Sequence, residues 1–191
     1  MLIDVYDFDG TLYDGDSTAD YVLFCARRHP SLLLCLPRVI ASGAKLALGR
    51  IGLTQFKSAL FTAMSRHIDL EEEAERFWRD AGTRKKLGAW FEHTPRDLPI
   101  VIASASPEFE LQYAAEILGV GTLIGTRCEP GTGRLIGRNC KGEEKISRIR
   151  ESVGGFTVRA MYTDDAKADA PLLAIAQEKY LVTHGKVTRM E

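Results

Sequence analysis

An α/β fold, a parallel sheet interrupted by a helical insertion, is predicted by three observations. A strand, loop, helix order recurs along the chain, polar residues stand at the carboxyl end of each strand, and about eighty residues of helical character separate the first two strands. Residues 2–8 form a short apolar, β-compatible run that breaks at Asp9-Gly10-Thr11. Residues 98–104 form a second run, rich in Val and Ile, that leads through Ser104-Ala105-Ser106-Pro107 into a helix. Pro107 suits the first turn of that helix, whose apolar stripe is Phe109, Leu111, Ala114, Ala115 and Leu118. A third strand, 158–163, ends in Asp164-Asp165 and precedes a helical stretch at 169–177. In a parallel sheet the carboxyl ends of strands share one edge, so residues distant in sequence converge there.

The insertion is helical by composition from residue 17 to about 91, and a structureless connection of that length is improbable in a compact domain. The expected organisation is therefore a catalytic core formed by residues 1–15 and 93–191, with a helical cap at 16–92. Within 122–140, Pro130-Gly131-Thr132-Gly133 separates two short β-like runs and predicts a small β-hairpin.

Composition bounds the function. In 191 residues, 25 basic side chains face 26 acidic ones, so no global field favours nucleic acid. Cys25, Cys35, Cys128 and Cys140 show neither metal-ligand nor disulfide spacing, which fits a reducing, cytoplasmic setting. The acidic start, Asp4 and Asp7, does not match a signal peptide, and no stretch free of Asp, Glu, Lys and Arg exceeds ten residues, which argues against a single-pass anchor. His29, His67, His93 and His184 show no ligand spacing and are expected at the surface or in packing.

The sharpest chemical signal is Asp7-Phe8-Asp9-Gly10-Thr11. Two acids flank one apolar residue at the end of a strand and reach the same mouth once the chain turns at Gly10. One carboxylate can attack phosphorus while its neighbour protonates the leaving oxygen and then activates water. Taken alone the pattern also fits an ordinary turn or a calcium loop. Later strand ends add Ser104 and then Asp164, Asp165 and Asp169, and Lys141 and Lys145 open the helix between them. A hydroxyl, a cation and metal-holding acids are the parts that phosphoryl transfer requires. Ser106 reads as a cap for the helix at Pro107.

In this order the motifs resemble those of the haloacid dehalogenase (HAD) superfamily, in its phosphoserine phosphatase-like branch with a helical cap after the first motif. The resemblance covers nearly the whole chain and implies a Rossmann-like parallel core and a phosphatase that works through an aspartyl-phosphate. It implies Asp7 as nucleophile, Asp9 as general acid and base, and Ser104 as a donor to phosphate, with Thr11 at the turn or on the phosphate. Lys145 fits the phosphate-binding lysine better than Lys141, because Ile149 and Val153 then continue a buried stripe. Mg²⁺ is implied on the carboxylate of Asp7, the main-chain carbonyl of Asp9 and an acid of the last motif. Counting from Tyr162 favours Asp164 and counting back from Pro171 favours Asp165, with Asp169 four residues on.

The cap bears on the substrate. Residues 21–68 contain no Asp or Glu but hold Arg27, Arg28, Arg38, Lys45, Arg50, Lys57 and Arg66 among many leucines. Such a segment either packs as cap core around a pocket for a small anion or lies peripherally on an anionic membrane, at its inner face. His29-Pro30-Ser31 before the leucines, with Tyr180 to Gly185, resembles the phosphatidylglycerophosphatase C-like lipid phosphatases. The expected partner is a phospholipid headgroup or a phosphorylated small molecule, such as phosphoserine, a sugar phosphate or a nucleotide. Acids 69–75 fit a helix start, and Phe77, Trp78, Trp90 and Phe91 fit packing of the cap onto the core. A phospho-accepting receiver and a non-enzymatic membrane module are the competing classes.

Overall fold

A computed structural model describes all 191 residues. The elements are β1 (Leu2–Tyr6), α1 (Ser17–Arg28), a 3₁₀ turn (Pro30–Cys35), α2 (Leu36–Ala47), α3 (Leu53–Met64), α4 (Leu70–Arg79) and the short α5 (Ala81–Arg84). After a second 3₁₀ turn (Ala89–His93) come β2 (Ile100–Pro107), α6 (Glu108–Ile117), β3 (Thr122–Thr126), β4 (Cys128–Glu129) and β5 (Arg134–Leu135). The chain closes with α7 (Glu143–Val153), β6 (Thr157–Thr163), α8 (Ala170–Ile175), β7 (Ala176–Thr183) and β8 (Lys186–Arg189). The main sheet has the order β3-β2-β1-β6-β7-β8, parallel except for the last pair, and β4 and β5 form a separate hairpin.

Alternation along the strands assigns the two faces. Ile3, Val5, Val101, Ala103, Val158 and Met161 pack with Ile149 of α7 and Leu172 and Leu173 of α8 on one side. Tyr6, Ile102, Ala160, Tyr162 and Val182 face the other side, where α6 and the cap lie. A bulge between Ile3 and Asp4 lets both Val158 and Ala160 keep their faces and places Arg159 between them. The Arg159 guanidinium then holds the buried Asp4 and the exposed Asp97. Tyr6, Tyr162 and Tyr180 are cross-strand neighbours whose rings stack at centroid distances of 4.4 and 4.6 Å.

Cap and core share one hydrophobic cluster, in which Phe8 and Tyr13 of the first loop meet Trp78 of α4 edge to face. Asp69 caps α4 by accepting the Glu72 N–H at 3.0 Å, and the buried Glu73 pairs with Arg28 at 3.1 Å, so the acidic run is structural. Trp78 is fully buried, and its Nε1–H donates to the main-chain carbonyl of Glu110 at 2.6 Å.

Several expectations need correction. The helix expected over 169–177 ends at Ile175, and the chain enters β7 at Ala176. Residues 122–126 join the main sheet, which leaves a hairpin of only two residues per strand. The turn Pro30–Cys35 and α2 form one helical run from Pro30 to Ala47, long and apolar enough by length and composition alone to cross a membrane, with mean hydropathy 1.2. Arg38 and Lys45 interrupt the charge-free stretches inside that run and hid it from a count of uncharged residues. Only 11% of the run is buried, α2 buries no residue, and Leu33, Leu34, Ile40 and Leu48 are all exposed.

Trp78→Ala removes the largest side chain that joins cap to core and is expected to destabilise the protein by about 3–5 kcal/mol. Urea denaturation followed by far-UV circular dichroism checks this; a change under 1 kcal/mol (about 1, from the same scale) would mean that the cap is held elsewhere.

Candidate active site

The site lies at the carboxyl ends of β1, β2 and β6. Asp7 directly follows β1, and its N–H donates to the Tyr162 carbonyl at 2.9 Å, which fixes the strand end against β6. Lys145, in the first turn of α7, enters from the side and donates to Asp7 Oδ1 at 2.8 Å and to Asp169 Oδ1 at 2.6 Å. Asp169 accepts on its other oxygen from Thr163 Oγ1 at 2.8 Å. Burial by itself would discharge Lys145, but the carboxylates of Asp7 and Asp169 outweigh it and hold the ammonium above the ordinary lysine value. Burial pushes the Asp7 carboxyl up to about 7, with Lys145 pulling it down and Asp169 adding to the rise.

Asp9 is gripped at both oxygens. Oδ1 accepts the Ser17 N–H, the first amide of α1, at 2.7 Å, and Oδ2 accepts the Ser106 hydroxyl at 2.6 Å. The helix terminus thus gives one of its free amides to the carboxylate, with favourable polarity. Ser104 is buried, and its Oγ accepts the Ser106 N–H at 3.0 Å, which leaves the Ser104 proton to be donated.

Gly10 has φ +71°, and a Cβ there would lie 2.1 Å from Asp164 Oδ2, so the turn and the close approach of Asp164 both require glycine. Asp164 faces Thr11 as well, with a long contact of 3.5 Å from Thr11 Oγ1 to Asp164 Oδ1. Desolvation against this loop, together with Asp165 and Asp169, raises its carboxyl above the usual range, although the residue stays open to solvent at the mouth. A cleft of ≈ 510 Å³ beside it is lined by Asp9, Gly10, Asp14, Asp16, Asp164, Thr183 and His184.

Not every candidate converges. Asp165 is exposed and spends Oδ1 on the N–H groups of Lys167 and Ala168, both at 3.0 Å, and these bonds, that from Ala168 foremost, lower its carboxyl. Lys141 is exposed, whereas Lys145 is buried among the acids. Ser106 does not cap α6, whose N-cap is Pro107 with no side-chain bond; its hydroxyl serves Asp9 instead. The sequence offered no signal for the Ser17 amide or for His184, which joins the cleft only because β7 ends at the same edge.

The donor set suits Mg²⁺. No three His, Cys, Asp or Glu side chains are gathered into a cage, but Mg²⁺ keeps several waters and needs only one or two carboxylates. Asp7 and Asp164, both with raised carboxyls, and the Asp9 carbonyl next to Gly10 are the oxygen donors that this edge offers, beside the buried Lys145 ammonium. A divalent cation there would favour the ionised forms of both carboxyls.

A family model described as haloacid dehalogenase-like hydrolase matches residues 5–174. Protein CicA of Caulobacter vibrioides (strain NA1000 / CB15N) is 30% identical over 195 residues, covering 97% of this chain and 88% of that protein. A crystal structure of a protein with unknown function from Bordetella pertussis Tohama I is similar with TM-score 0.75 and 23% identity, over 93% of this chain and 88% of that one. A phosphoserine phosphohydrolase-like protein from Francisella tularensis subsp. tularensis SCHU S4 is similar with TM-score 0.55 and 14% identity, over 94% and 86% of the two chains. These two structural likenesses speak for the fold.

Lys145→Ala strands the buried Asp169 carboxylate and the half-buried Asp7 carboxylate and is expected to cost about 3–5 kcal/mol at pH 8. Because the Asp7 carboxyl is already raised to about 7, the cost shrinks as pH falls below that value and the group protonates. Guanidinium denaturation of both proteins at pH 5 and pH 8 measures the difference; an equal cost at the two pH values would contradict the ion-pair account.

Proposed function

Because the chain belongs to the haloacid dehalogenase-like hydrolases, we propose that it is a Mg²⁺-dependent phosphomonoesterase that works through an aspartyl-phosphate on Asp7. The observation that carries this reading is the pairing of two carboxylates in different surroundings. Asp7 stands against the Lys145 ammonium, whereas Asp9 is oriented by an amide and a hydroxyl with no cation bonded to it.

The oxygen of Asp7 that Lys145 does not hold attacks phosphorus as the bond to the leaving oxygen breaks, and the Asp9 proton passes to that oxygen. Asp9, now a carboxylate, takes a proton from water, whose oxygen attacks the same phosphorus and releases phosphate and the Asp7 carboxylate. The Ser104 hydroxyl and the Lys145 ammonium stabilise the phosphoryl oxygens as charge shifts onto them. Asp7, the Asp9 carbonyl and Asp164 would hold Mg²⁺, which when bound offsets the negative charge of phosphate and nucleophile. Asp169 positions Lys145, and Asp165 shapes the loop that presents Asp164.

For the leaving group, the reading we favour is a lipid phosphate of the phosphatidylglycerophosphate type, met at an anionic membrane surface. Its support is the cap exterior, where exposed Leu33, Leu34, Ile40 and Leu48 share an acid-free segment with Arg38, Lys45 and Arg66. Those three cations also border one cleft of ≈ 540 Å³ and form no ion pair within the chain. Lys and Arg near anionic headgroups contribute about 1 kcal/mol each.

Asp7→Asn is expected to abolish phosphate release while the protein still folds, and Asp9→Asn to slow it by about 10²-fold or more. A panel of phosphatidylglycerophosphate in mixed micelles, phosphoserine, and sugar and nucleotide phosphates, assayed with Mg²⁺ and with EDTA, reads both effects. Full activity of Asp7→Asn removes the mechanism; preference for a soluble ester removes the lipid reading and keeps the mechanism.

A further inference from the structure

Glu110 lies outside the four motifs, yet it is a carboxylic acid with no solvent exposure, on the side of α6 that faces the cap. Its Oε2 is 3.0 Å from Thr18 Oγ1, Thr18 Oγ1 is 3.1 Å from Ser106 Oγ, and Ser106 Oγ is 2.6 Å from Asp9 Oδ2. All three are buried. A continuous line of oxygens therefore joins Glu110 to the carboxylate proposed above as the proton carrier.

Counting protons gives the line a direction. With the Asp9 proton aimed at the leaving oxygen, as the transfer step requires, Asp9 Oδ2 accepts on its Ser106 side, so the Ser106 proton points to Asp9. Ser106 Oγ then accepts, and the single Thr18 proton points to Ser106. Thr18 has one proton for two neighbours, and once it points to Ser106 the 3.0 Å contact with Glu110 is a hydrogen bond only when the Glu110 carboxyl is protonated and donates to Thr18 Oγ1. Were Glu110 ionised, the Thr18 proton would turn to it, and the Ser106 oxygen would lose its donor.

The electrostatics agree with that direction. Burial pushes the Glu110 carboxyl up from 4.5 to about 8, and the Asp9 charge adds to the rise. The Thr18 and Ser17 hydroxyls and the Lys57 ammonium on α3 oppose it. The other titratable groups that face it, Tyr13, Tyr21 and Cys25, are themselves raised and neutral near pH 7. The Trp78 bond to the Glu110 main chain fixes where the carboxyl stands.

We infer that Glu110 is a positioning residue for Asp9, acting through the Thr18 and Ser106 hydroxyls to hold Asp9 where it meets the leaving oxygen. The role rests on the phosphomonoesterase reading and adds to it a residue on the cap-facing side of the core. Without Glu110, Thr18 is free to rotate, Ser106 loses its fixed donor, and the Ser106 hydroxyl that orients Asp9 Oδ2 is no longer held in one direction.

The test uses two Mg²⁺-dependent probes of similar shape, phenyl phosphate with a poor leaving group and p-nitrophenyl phosphate with a good one. It reads kcat/KM, which covers binding and the transfer step and leaves out hydrolysis of the aspartyl-phosphate. A positioned acid matters most for the poor leaving group. Glu110→Ala is expected to lower kcat/KM for phenyl phosphate by about tenfold or more, with a smaller loss for p-nitrophenyl phosphate. Thr18→Val, which breaks the line with Glu110 in place and little change in volume, should show the same bias. Glu110→Gln, whose amide still donates to Thr18, should recover most of the loss.

Stability supplies a second readout. A carboxyl raised by burial contributes stability that is full below about 4.5 and is lost as pH rises through about 8. Glu110→Gln should flatten the fall of Tm across that window. Equal losses for both probes in Glu110→Ala and in Thr18→Val would assign Glu110 to packing and overturn the inference, as would a pH dependence of Tm that Glu110→Gln leaves unchanged. Wild-type protein that shows no Asp7-dependent hydrolysis of either probe would overturn the phosphatase reading and the role of Glu110 with it.

Discussion

The Lys145 ammonium, buried between Asp7 and Asp169, is the interaction on which the rest of the site depends. A buried ammonium is costly unless it is paired, and two carboxylates at 2.8 and 2.6 Å pair it. That requirement reaches into the fold. The end of β1, the first turn of α7 and the start of α8 must meet at one point, so the crossovers between them have little freedom. Asp169 needs Thr163 on its second oxygen, which extends the constraint to the end of β6.

The same interaction leaves a surplus of negative charge. Lys145 shares its one charge between two acids, and Asp9 and Asp164 stand close by with no cation bonded to either. A phosphate brought to this edge meets repulsion unless further positive charge comes with it, and that is the physical reason that the proposed chemistry includes a divalent cation. Gly10 belongs to this balance, since any side chain at its position would displace Asp164 from the mouth.

The sequence made the core and its acids legible because each core strand is a short apolar run that ends in a polar cluster, a pattern set by burial on both faces of a parallel sheet. Asp7, Asp9, Ser104 and Asp164 stand at or near such ends, and Lys145 stands on the helix that leads into β6. What escaped has local causes. Ala176 and Gln177 continue a helical composition past Ile175, so the entry into β7 carries no break that a pattern would register. Ser106 before Pro107 looks like a helix cap, and only the tertiary approach of Asp9 gives its hydroxyl another partner. Glu110 sits among helix formers and reads as part of a solvated face; nothing local says that the cap covers it. Asp164 and Asp165 are adjacent in sequence and separate only through geometry, because the amides of Lys167 and Ala168 claim Asp165.

The cap poses the opposite problem, because its apolar residues are not where packing would put them. Phe61, Met64, Leu70, Phe77 and Trp78 fill the space between cap and core, and that cluster is complete without Leu33, Leu34, Ile40 or Leu48. Core formation therefore does not explain why the run from Pro30 to Ala47 is so rich in leucine. Scattered exposed leucines are ordinary, but here several share one helical run and one acid-free, cationic stretch. Acids line the mouth while the acid-free cap segment 21–68 carries only cations, so the near-zero net charge of −1 conceals a local separation of charge. A substrate that carries both an anionic head and an apolar body would meet complementary chemistry on such a cap, whereas a small soluble ester would leave the leucines without a role.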